Sequence, residues 1–556
     1  VDGQLVVDNE VMDALIQDYR DQDGKVRTIP IMLHSNEIDE VFPTEYLEAH
    51  DLWPLKEALP EVHFPTNQQG LDQARRRLIY QELFILQLAL AVKRAQQHDQ
   101  RRSPELESTA KIDARIRRLF PFELTAGQRE TIEQISADMA RPMPMNRLLQ
   151  GDVGSGKTVV ALYAMLLAVA HGHQAVMMAP TEVLARQHAL TLDKLLASSQ
   201  VRREQLIGGL TGKQREALLG RIAAGEVDLV VGTQAIVQSD VQFARLGLVV
   251  IDEQHKFGVR QRALLKQSAL NEEGLDPHYL VMTATPIPRT VTMTLFGDLD
   301  VSTLRDSPPG RQKVNTYLAT EDKRARWWDF FRKKLKEGRQ GYVVTPLVEQ
   351  SEEVAAVSLD ETYEGLANGE LEAFRLGLIH GRMSTAEKDA VMDDFRSGEI
   401  QVLVCTSVVE VGVDVANATL MTIESGERFG LAQLHQLRGR ISRGSFPAYC
   451  SVFADPKTEE AQKRLDAFVK TTDGFELAQR DFELRGPGDL FGTRQHGLPP
   501  LRVANLIRDT KILEEARQDA QTMVRTDPGL SKPENARLRQ MMLVRYGKAL
   551  ELGDVG

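Results

Sequence analysis

The chain is expected to be an α/β protein with two parallel-sheet lobes, flanked by a helical N-terminal linker and a helical C-terminal element. Three observations lead there. From Leu148 onward, short apolar runs end in glycine- or acid-containing loops and are followed by helical stretches: Ala175–Met178, Asp228–Val231, Leu246–Ile251, Leu280–Met282, Gly341–Thr345 and Val402–Cys405. Strands alternating with helices make parallel sheets. The series is too long for one sheet, and Pro308-Pro309-Gly310 is placed to act as a hinge between lobes 121–312 and 313–456. On either side the pattern is helical. Residues 70–119 carry Ala74-Arg75-Arg76-Arg77-Leu78 into an apolar face that runs to Ala91, and Phe120-Pro121-Phe122 ends it. Beyond 456 helices return, interrupted by Arg485-Gly486-Pro487-Gly488. The expected domains are therefore 1–120, 121–312, 313–456 and 457–556. Within 1–40, Val6-Val7 and Ile29–Leu33 read as strands and Glu10–Tyr19 as a helix.

Composition narrows the class. With 556 residues, the prior at roughly 100–200 residues per domain is three to five domains. Hydrophobic content of 42% and charged content of 26% exclude a disordered or collagen-like chain. The longest apolar run, Val159–Ala170, has twelve residues, and a membrane span needs about twenty, so no membrane partner is expected. No signal peptide pattern stands at the N-terminus, and a start at Val1 reads as a fragment or a processed form. Cys405 and Cys450 alone allow neither a disulfide framework nor a four-cysteine zinc site, which fits a reducing cytoplasm. A net charge of −11 argues against nucleic acid as a partner. It is a whole-chain average, however, and a groove can be basic on an acidic body.

The motifs outweigh the charge. Gly151-Asp152-Val153-Gly154-Ser155-Gly156-Lys157-Thr158 fits the GxxxxGK[ST] phosphate loop, between a short strand Arg147–Gln150 and the apolar helix Val159–Ala170. Glycines let backbone N–H groups converge on phosphate, and the helix start adds its positive end. Lys157 should reach the β- and γ-phosphates of ATP, and the Thr158 hydroxyl should ligate Mg²⁺. Downstream, the strand run Leu248–Ile251 ends in Asp252-Glu253-Gln254-His255. Two carboxylates there could simply cap the next helix. With a phosphate loop upstream, Asp252 is the Mg²⁺ acid and Glu253 the base that orients the attacking water. Nucleotide hydrolysis follows from these residues.

The order of the remaining motifs resembles a superfamily 2 helicase, which implies two RecA-like lobes. Gln128 in Thr125-Ala126-Gly127-Gln128 resembles the adenine-reading glutamine of that superfamily. Thr181 in Ala179-Pro180-Thr181-Glu182 and Thr233 in Gly232-Thr233-Gln234 resemble loops that hold a nucleic-acid backbone through hydroxyls, N–H groups and helix starts. Thr283-Ala284-Thr285 resembles the motif linking hydrolysis to lobe movement. In the second lobe, His380-Gly381-Arg382-Met383 and Cys405-Thr406-Ser407 resemble further strand-end motifs, with Thr406 on nucleic acid. Gln436-Leu437-Arg438-Gly439-Arg440-Ile441-Ser442-Arg443 fits QxxGRxxR, and Arg440 and Arg443, on one side of a helix, are candidate arginine fingers.

Three stretches resemble the RecG family and its relative, the transcription-repair coupling factor. They are Asp252–Val259, Thr283–Thr290 with its Pro286-Ile287-Pro288-Arg289, and Asp473–Gln495. The wording Gly486-Pro487-Gly488 and Gly492-Thr493-Arg494-Gln495 favours RecG, and Ala74–Leu78 resembles the RecG linker. The resemblance covers roughly 40–500 of the chain. It implies ATP-driven translocation on duplex DNA that remodels stalled forks and branched recombination intermediates. Arg485, Arg494 and Gln495 would transmit lobe motion. It further implies a monomer in the bacterial cytoplasm, associated with the nucleoid, with single-stranded-DNA-binding protein as a partner.

Two departures stand out. Residues 1–40 are too short for the OB-fold wedge of RecG, which is expected to be absent or truncated. Ser442 replaces the usual glycine between the two arginines, a neutral change if that position is helical. The competing readings are a roadblock-displacing translocase of the coupling-factor type and a non-enzymatic nucleotide-binding scaffold without its wedge. Trp327-Trp328 reads as helix core, Lys333-Lys334 as a solvated face, and His171, His173 and His188 as no metal set.

Overall fold

The computed structural model describes residues 19–20, 26–27, 39–208, 210–253, 274–284, 299–306, 313–346, 352–406, 415–441, 444, 446–485 and 501–552. At 19–20, 26–27, 97–100, 352–358, 385, 485 and 548–552 it describes the backbone alone. Val6-Val7, Ile29–Leu33, nearly all of Glu10–Tyr19 and Pro308-Pro309-Gly310 lie outside the described residues. Tyr19 does not end a helix. It belongs to β1 (Tyr19–Arg20), which pairs antiparallel with β2 (Val26–Arg27).

The chain divides into two units, and the larger holds both expected lobes. The first lobe starts with α4 (Ala110–Arg117) and α5 (Ala126–Met139), then β3 (Asn146–Gly151), α6 (Lys157–Ala170), β4 (Gln174–Met178), α7 (Glu182–Leu195), β5 (Arg203–Leu206), α8 (Gly212–Ala223), β6 (Leu229–Gly232), β7 (Leu246–Asp252), β8 (His278–Thr283) and β9 (Asp300–Leu304). The second has β10 (Val314–Ala319), α9 (Arg324–Lys336), β11 (Gln340–Thr345), α10 (Glu352–Ala367), β12 (Leu376–Ile379), α11 (Thr385–Ser397), β13 (Val402–Thr406), β14 (Ala418–Ile423), α12 (Leu431–Gly439), β15 (Ala448–Phe453), α13 (Glu459–Lys470) and α14 (Gly474–Arg485).

Both sheets are parallel, and they share one strand order. The first runs β5-β6-β4-β7-β8-β3-β9 and the second β12-β13-β11-β14-β15-β10, so β9 is the first lobe's addition. Central strands such as β7, Leu-Gly-Leu-Val-Val-Ile-Asp, are buried along their whole length. Helices cover both faces, so these strands need no polar side and read as unbroken apolar runs. α6 is apolar all round, because it lies in the core formed by Leu149, Met177, Val250 and Leu280. Trp327 and Trp328 are core, as expected, and the Trp327 indole N–H donates to Thr422 Oγ1 at 2.9 Å.

The segments flanking the two lobes pack on them. Residues 100–120, grouped by pattern with the N-terminal segment, pack on the first lobe: Leu106, Ile116 and Phe120 join its core, and Tyr163 Oη donates to Asp113 Oδ1 at 2.6 Å. Residues 457–485, grouped with the C-terminal element, pack on the second lobe through Leu465, Phe468 and Leu477. An amphipathic pattern says that a helix has a buried face and not which core receives it.

The smaller unit joins residues 19–20, 26–27 and 39–99 to 501–552 among the described residues. It contains α1 (Thr44–Ala49), α2 (Leu55–His63), the long α3 (Gln68–Gln100), α15 (Thr510–Thr526) and α16 (Ala536–Leu552). Glu82 on α3 fastens its two ends. It accepts the backbone N–H groups of Arg502, Val503 and Ala504, each at 2.8 Å, and Arg545 Nη2 at 2.5 Å. Arg77 is fully buried, paired with Glu40 and Gln81 and lying over the Phe42 ring. Removing one partner of such a pair leaves a buried charge, at a cost of about 3–5 kcal/mol.

His278 pins residues 100–106 to the first lobe. Its Nδ1 accepts Met145 N–H at 3.0 Å, so Nε2 carries the proton and faces the Pro104 carbonyl at 2.8 Å. Burial lowers its pKa to about 4. The unfolded chain therefore takes up this proton first, and stability is complete above pH 6.5 and falls between 6.5 and about 4. The expected loss is about 3 kcal/mol. His278→Asn, which keeps an acceptor for Met145, should flatten that slope in urea unfolding measured across this pH range.

Candidate active site

The phosphate loop lies between β3 and α6. Gly154 and Gly156 have φ of +77° and +88°, a region closed to most side chains. A Cβ at Gly156 would also fall 2.2 Å from Gln128 Nε2. Lys157, the first residue of α6, lies across the loop and donates to the carbonyls of Gly151 at 2.7 Å and Asp152 at 2.9 Å. Thr158 follows, half-buried. Val153 and Ser155 are both buried.

Gln128 lies beside the phosphate loop. It closes a capping box with Thr125 at the start of α5, its Oε1 accepting Thr125 N–H at 2.9 Å. Its Nε2 donates to the Ser155 carbonyl at 3.1 Å. The side chain thereby braces the loop backbone.

Asp252 ends β7, and Glu253 follows with φ of +52°, unusual for a side-chain-bearing residue. Asp252 Oδ1 accepts Glu253 N–H at 3.0 Å, and Oδ2 accepts His188 Nε2 at 2.8 Å. Burial pushes the Asp252 carboxyl up, but His188, Lys157 and the Glu253 N–H outweigh it and hold it below the usual carboxylate range. Glu253 Oε1 accepts Ala284 N–H at 3.2 Å, which ties the candidate base to the Thr283-Ala284 turn after β8.

The candidate threonines stand at the carboxyl ends of parallel strands. Thr181 follows β4 and caps α7, accepting Leu184 N–H at 3.4 Å. Thr233 follows β6, Thr283 ends β8 and Thr406 ends β13. Thr285, Arg443, Arg494 and Gln495, with Ser442, Gln254 and His255, lie outside the described residues, and of Arg485, the last residue of α14, only the backbone is described.

In the second lobe, α12 ends at Gly439, and Arg440 is its αR cap. Arg440 thus stands at the helix end, and Arg443 lies outside the described residues. The helix end packs on the phosphate loop: a Cβ at Gly439 would sit 2.9 Å from Val153 Cβ. Arg440, the next residue, is buried. His435 Nε2 donates to Asp152 Oδ1 at 2.5 Å across the lobes, while its Nδ1 faces Arg438 Nη2 at 3.1 Å. Arginine only donates, which fixes the histidine tautomer. Arg438 in turn donates to the Phe468 carbonyl at 2.7 Å and lies over that ring.

The shared strand order shows why the second lobe has no such site. α9 opens with Arg324, as α6 opens with Lys157, and Glu424-Ser425 follow β14 as Asp252-Glu253 close β7. Ser425 even repeats the positive φ, at +49°. Here the cation is used internally: Arg324 bonds Glu424 at 2.7 and 2.9 Å and Glu321 at 2.6 Å. Thr320-Glu321-Asp322-Lys323 replaces the glycine loop.

Comparison with known proteins agrees with this geometry. Residues 125–294 match the DEAD/DEAH box helicase model, 323–445 the helicase conserved C-terminal domain, and 471–549 the C-terminal part of domain 3 of the ATP-dependent DNA helicase RecG. The ATP-dependent DNA helicase RecG of Bacillus subtilis (strain 168) is 42% identical over 510 residues, 92% of this chain and 74% of that protein. The chain belongs to the RecG family. The RecG of Synechocystis is 42% identical over 513 residues, 92% of this chain and 61% of the relative. A solved structure of RecG bound to a three-way DNA junction superposes with a TM-score of 0.67 at 42% identity, covering 86% of this chain and 62% of that one. The chain thus spans between three fifths and three quarters of these RecG proteins' length.

Sequence reasoning missed His188, His435 and Arg438. If the His435–Asp152 bond orients the end of α12, His435→Ala should lower ATPase kcat about tenfold with a smaller change in KM. His435→Gln, which keeps a donor, should recover part of it in the same steady-state assay.

Proposed function

We propose that this RecG-family chain hydrolyses ATP between its lobes and uses the cycle to move on duplex DNA, remodelling forked and branched substrates. The observation that carries the reading is the junction of the phosphate loop with the end of α12, where Asp152 meets His435 and Val153 meets Gly439.

In this reading Lys157 exchanges loop carbonyls for the β- and γ-phosphate oxygens, and the N–H groups of Gly151–Thr158 hold the rest. The donors suit Mg²⁺: the buried Asp252 carboxylate, the Thr158 hydroxyl and phosphate oxygens are hard ligands that would hold it. That ion would neutralise phosphate charge. Among the described residues no group of three or more His, Cys, Asp or Glu is placed to hold a metal by itself, which fits a site completed by nucleotide. Glu253, steered by Ala284 N–H, takes a proton from the attacking water. Arg440 and Arg443 approach the γ-phosphate from the second lobe and stabilise the charge that develops there. Gln128 holds the loop in shape and has one amide N–H left for adenine.

Thr181, Thr233, Thr283, Thr285 and Thr406 are assigned to the DNA backbone and to coupling, with Arg485, Arg494 and Gln495 as transmitters from the second lobe. Strand-end loops position nucleic acid without reading sequence. Domain limits of 121–312 and 313–456 serve as the motor core. The relative bound to a three-way junction supports branched DNA as substrate. A monomer in the bacterial cytoplasm, working at the nucleoid with single-stranded-DNA-binding protein, completes the proposal.

The test is ATP hydrolysis without DNA, with single strands and with a model fork, alongside fork unwinding. Fork-stimulated hydrolysis with unwinding is expected, and Lys157→Ala should abolish both, a loss on the order of 10²-fold or more. Hydrolysis indifferent to DNA would favour a nucleotide-binding scaffold instead.

A further inference from the structure

His188, which belongs to no metal set in the sequence, bonds the acid assigned above to Mg²⁺. It is buried and hydrogen-bonds Asp252 Oδ2 through Nε2 at 2.8 Å. A carboxylate oxygen only accepts, so this nitrogen carries the proton. The other oxygen of Asp252 is held by Glu253 N–H, so the carboxylate has both oxygens engaged and a fixed plane.

The helix that carries His188 links three places. Its N-cap, Thr181, stands in the loop after β4. Seven residues at 1.5 Å each put His188 about 10 Å further along and on the same side of the helix. Arg186, two residues before it, points to the opposite side and pairs with Asp389 of the second lobe at 3.7 Å. Val183 packs against the second lobe's core. A displacement of α7 at either the loop or the second lobe therefore pulls on Asp252 through one hydrogen bond.

We propose that His188 is a positioning residue that sets Asp252 for the metal and, through α7, ties that setting to the DNA-facing loop. The inference rests on the assignment of Asp252 to Mg²⁺ and of Thr181 to DNA. Partners that orient a ligand typically control affinity by 10–100-fold. His188 touches no reacting group itself.

The test uses the full chain with Mn²⁺ as the probe. Free Mn²⁺ is titrated by electron paramagnetic resonance in the presence of a non-hydrolysable ATP analogue, and the ratio of DNA-stimulated to unstimulated ATPase is measured in parallel. His188→Ala should weaken Mn²⁺ about tenfold and reduce the stimulation ratio by a similar factor. His188→Gln, whose amide reaches the place of Nε2, should restore both, and His188→Asn, which is shorter, should not. Wild-type Mn²⁺ affinity in a folded Ala variant overturns the proposal, as does a Gln variant no better than Asn. If the Ala variant does not fold, the Gln–Asn comparison decides alone. A wild-type chain whose ATPase ignores DNA would sink the motor reading and the coupling half of this proposal, while the Mn²⁺ titration would still decide whether His188 sets Asp252.

Discussion

Every strand of a parallel sheet points the same way, so every crossover must return the chain to the same edge before the next strand begins. The rest of this molecule depends on that constraint. It delivers the phosphate loop after β3, Thr181 after β4, Thr233 after β6, Asp252 at the end of β7 and Thr283 at the end of β8 to one edge of the first lobe. These residues are scattered over more than a hundred positions of sequence, yet the pairings β4·β7, β7·β8 and β8·β3 leave them side by side. Strand ends are also where backbone N–H groups and helix starts lie unpaired, which is why anionic ligands bind there.

Hydrogen bonds between these strand ends turn a row of loops into a device. Glu253 reaches the Thr283-Ala284 turn, Asp252 reaches α7, Gln128 reaches the phosphate loop, and Asp152 reaches the second lobe. Each joins elements that are rigid because their apolar faces are packed. A ligand can bias such an arrangement only by contacts that differ between states. The Asp152–His435 bond and the Val153–Gly439 approach are contacts of that kind, since they exist only while the lobes are together.

Much of the fold was legible in the sequence for a physical reason. Strands covered on both faces are unbroken apolar runs, so β4, β6, β7, β8, β11 and β13 could be placed within a residue or two. The phosphate loop was legible because two glycines with positive φ and a lysine at a helix start have few other uses. The capping box of Thr125 and Gln128 was equally visible in its spacing. His188 and His435 were not legible. Their partners lie 64 and 283 residues away, and a lone histidine on an amphipathic helix carries no signal of what it will meet. Nor did the helical pattern over 100–120 say that its apolar side chains belong with Tyr163 and α6 rather than with α3.

The duplicated sheet order raises the question of why one lobe should bind nucleotide and the other not. Lys157 and Arg324 hold matching positions, as do Asp252 and Glu424. The difference lies in what each cation can reach. Lys157 is a flexible point charge bonded to two carbonyls, neutral partners that give way to phosphate oxygens. Arg324 is gripped in a fork by Glu424 and again by Glu321, and an incoming phosphate would meet two carboxylates first. The glycines that shape the first loop have no counterpart before α9. Under the proposed function nucleotide would be confined to the first lobe's edge, with the end of α12 and Arg440 brought against it by the second lobe. The two lobes would then meet the ligand with unlike surfaces.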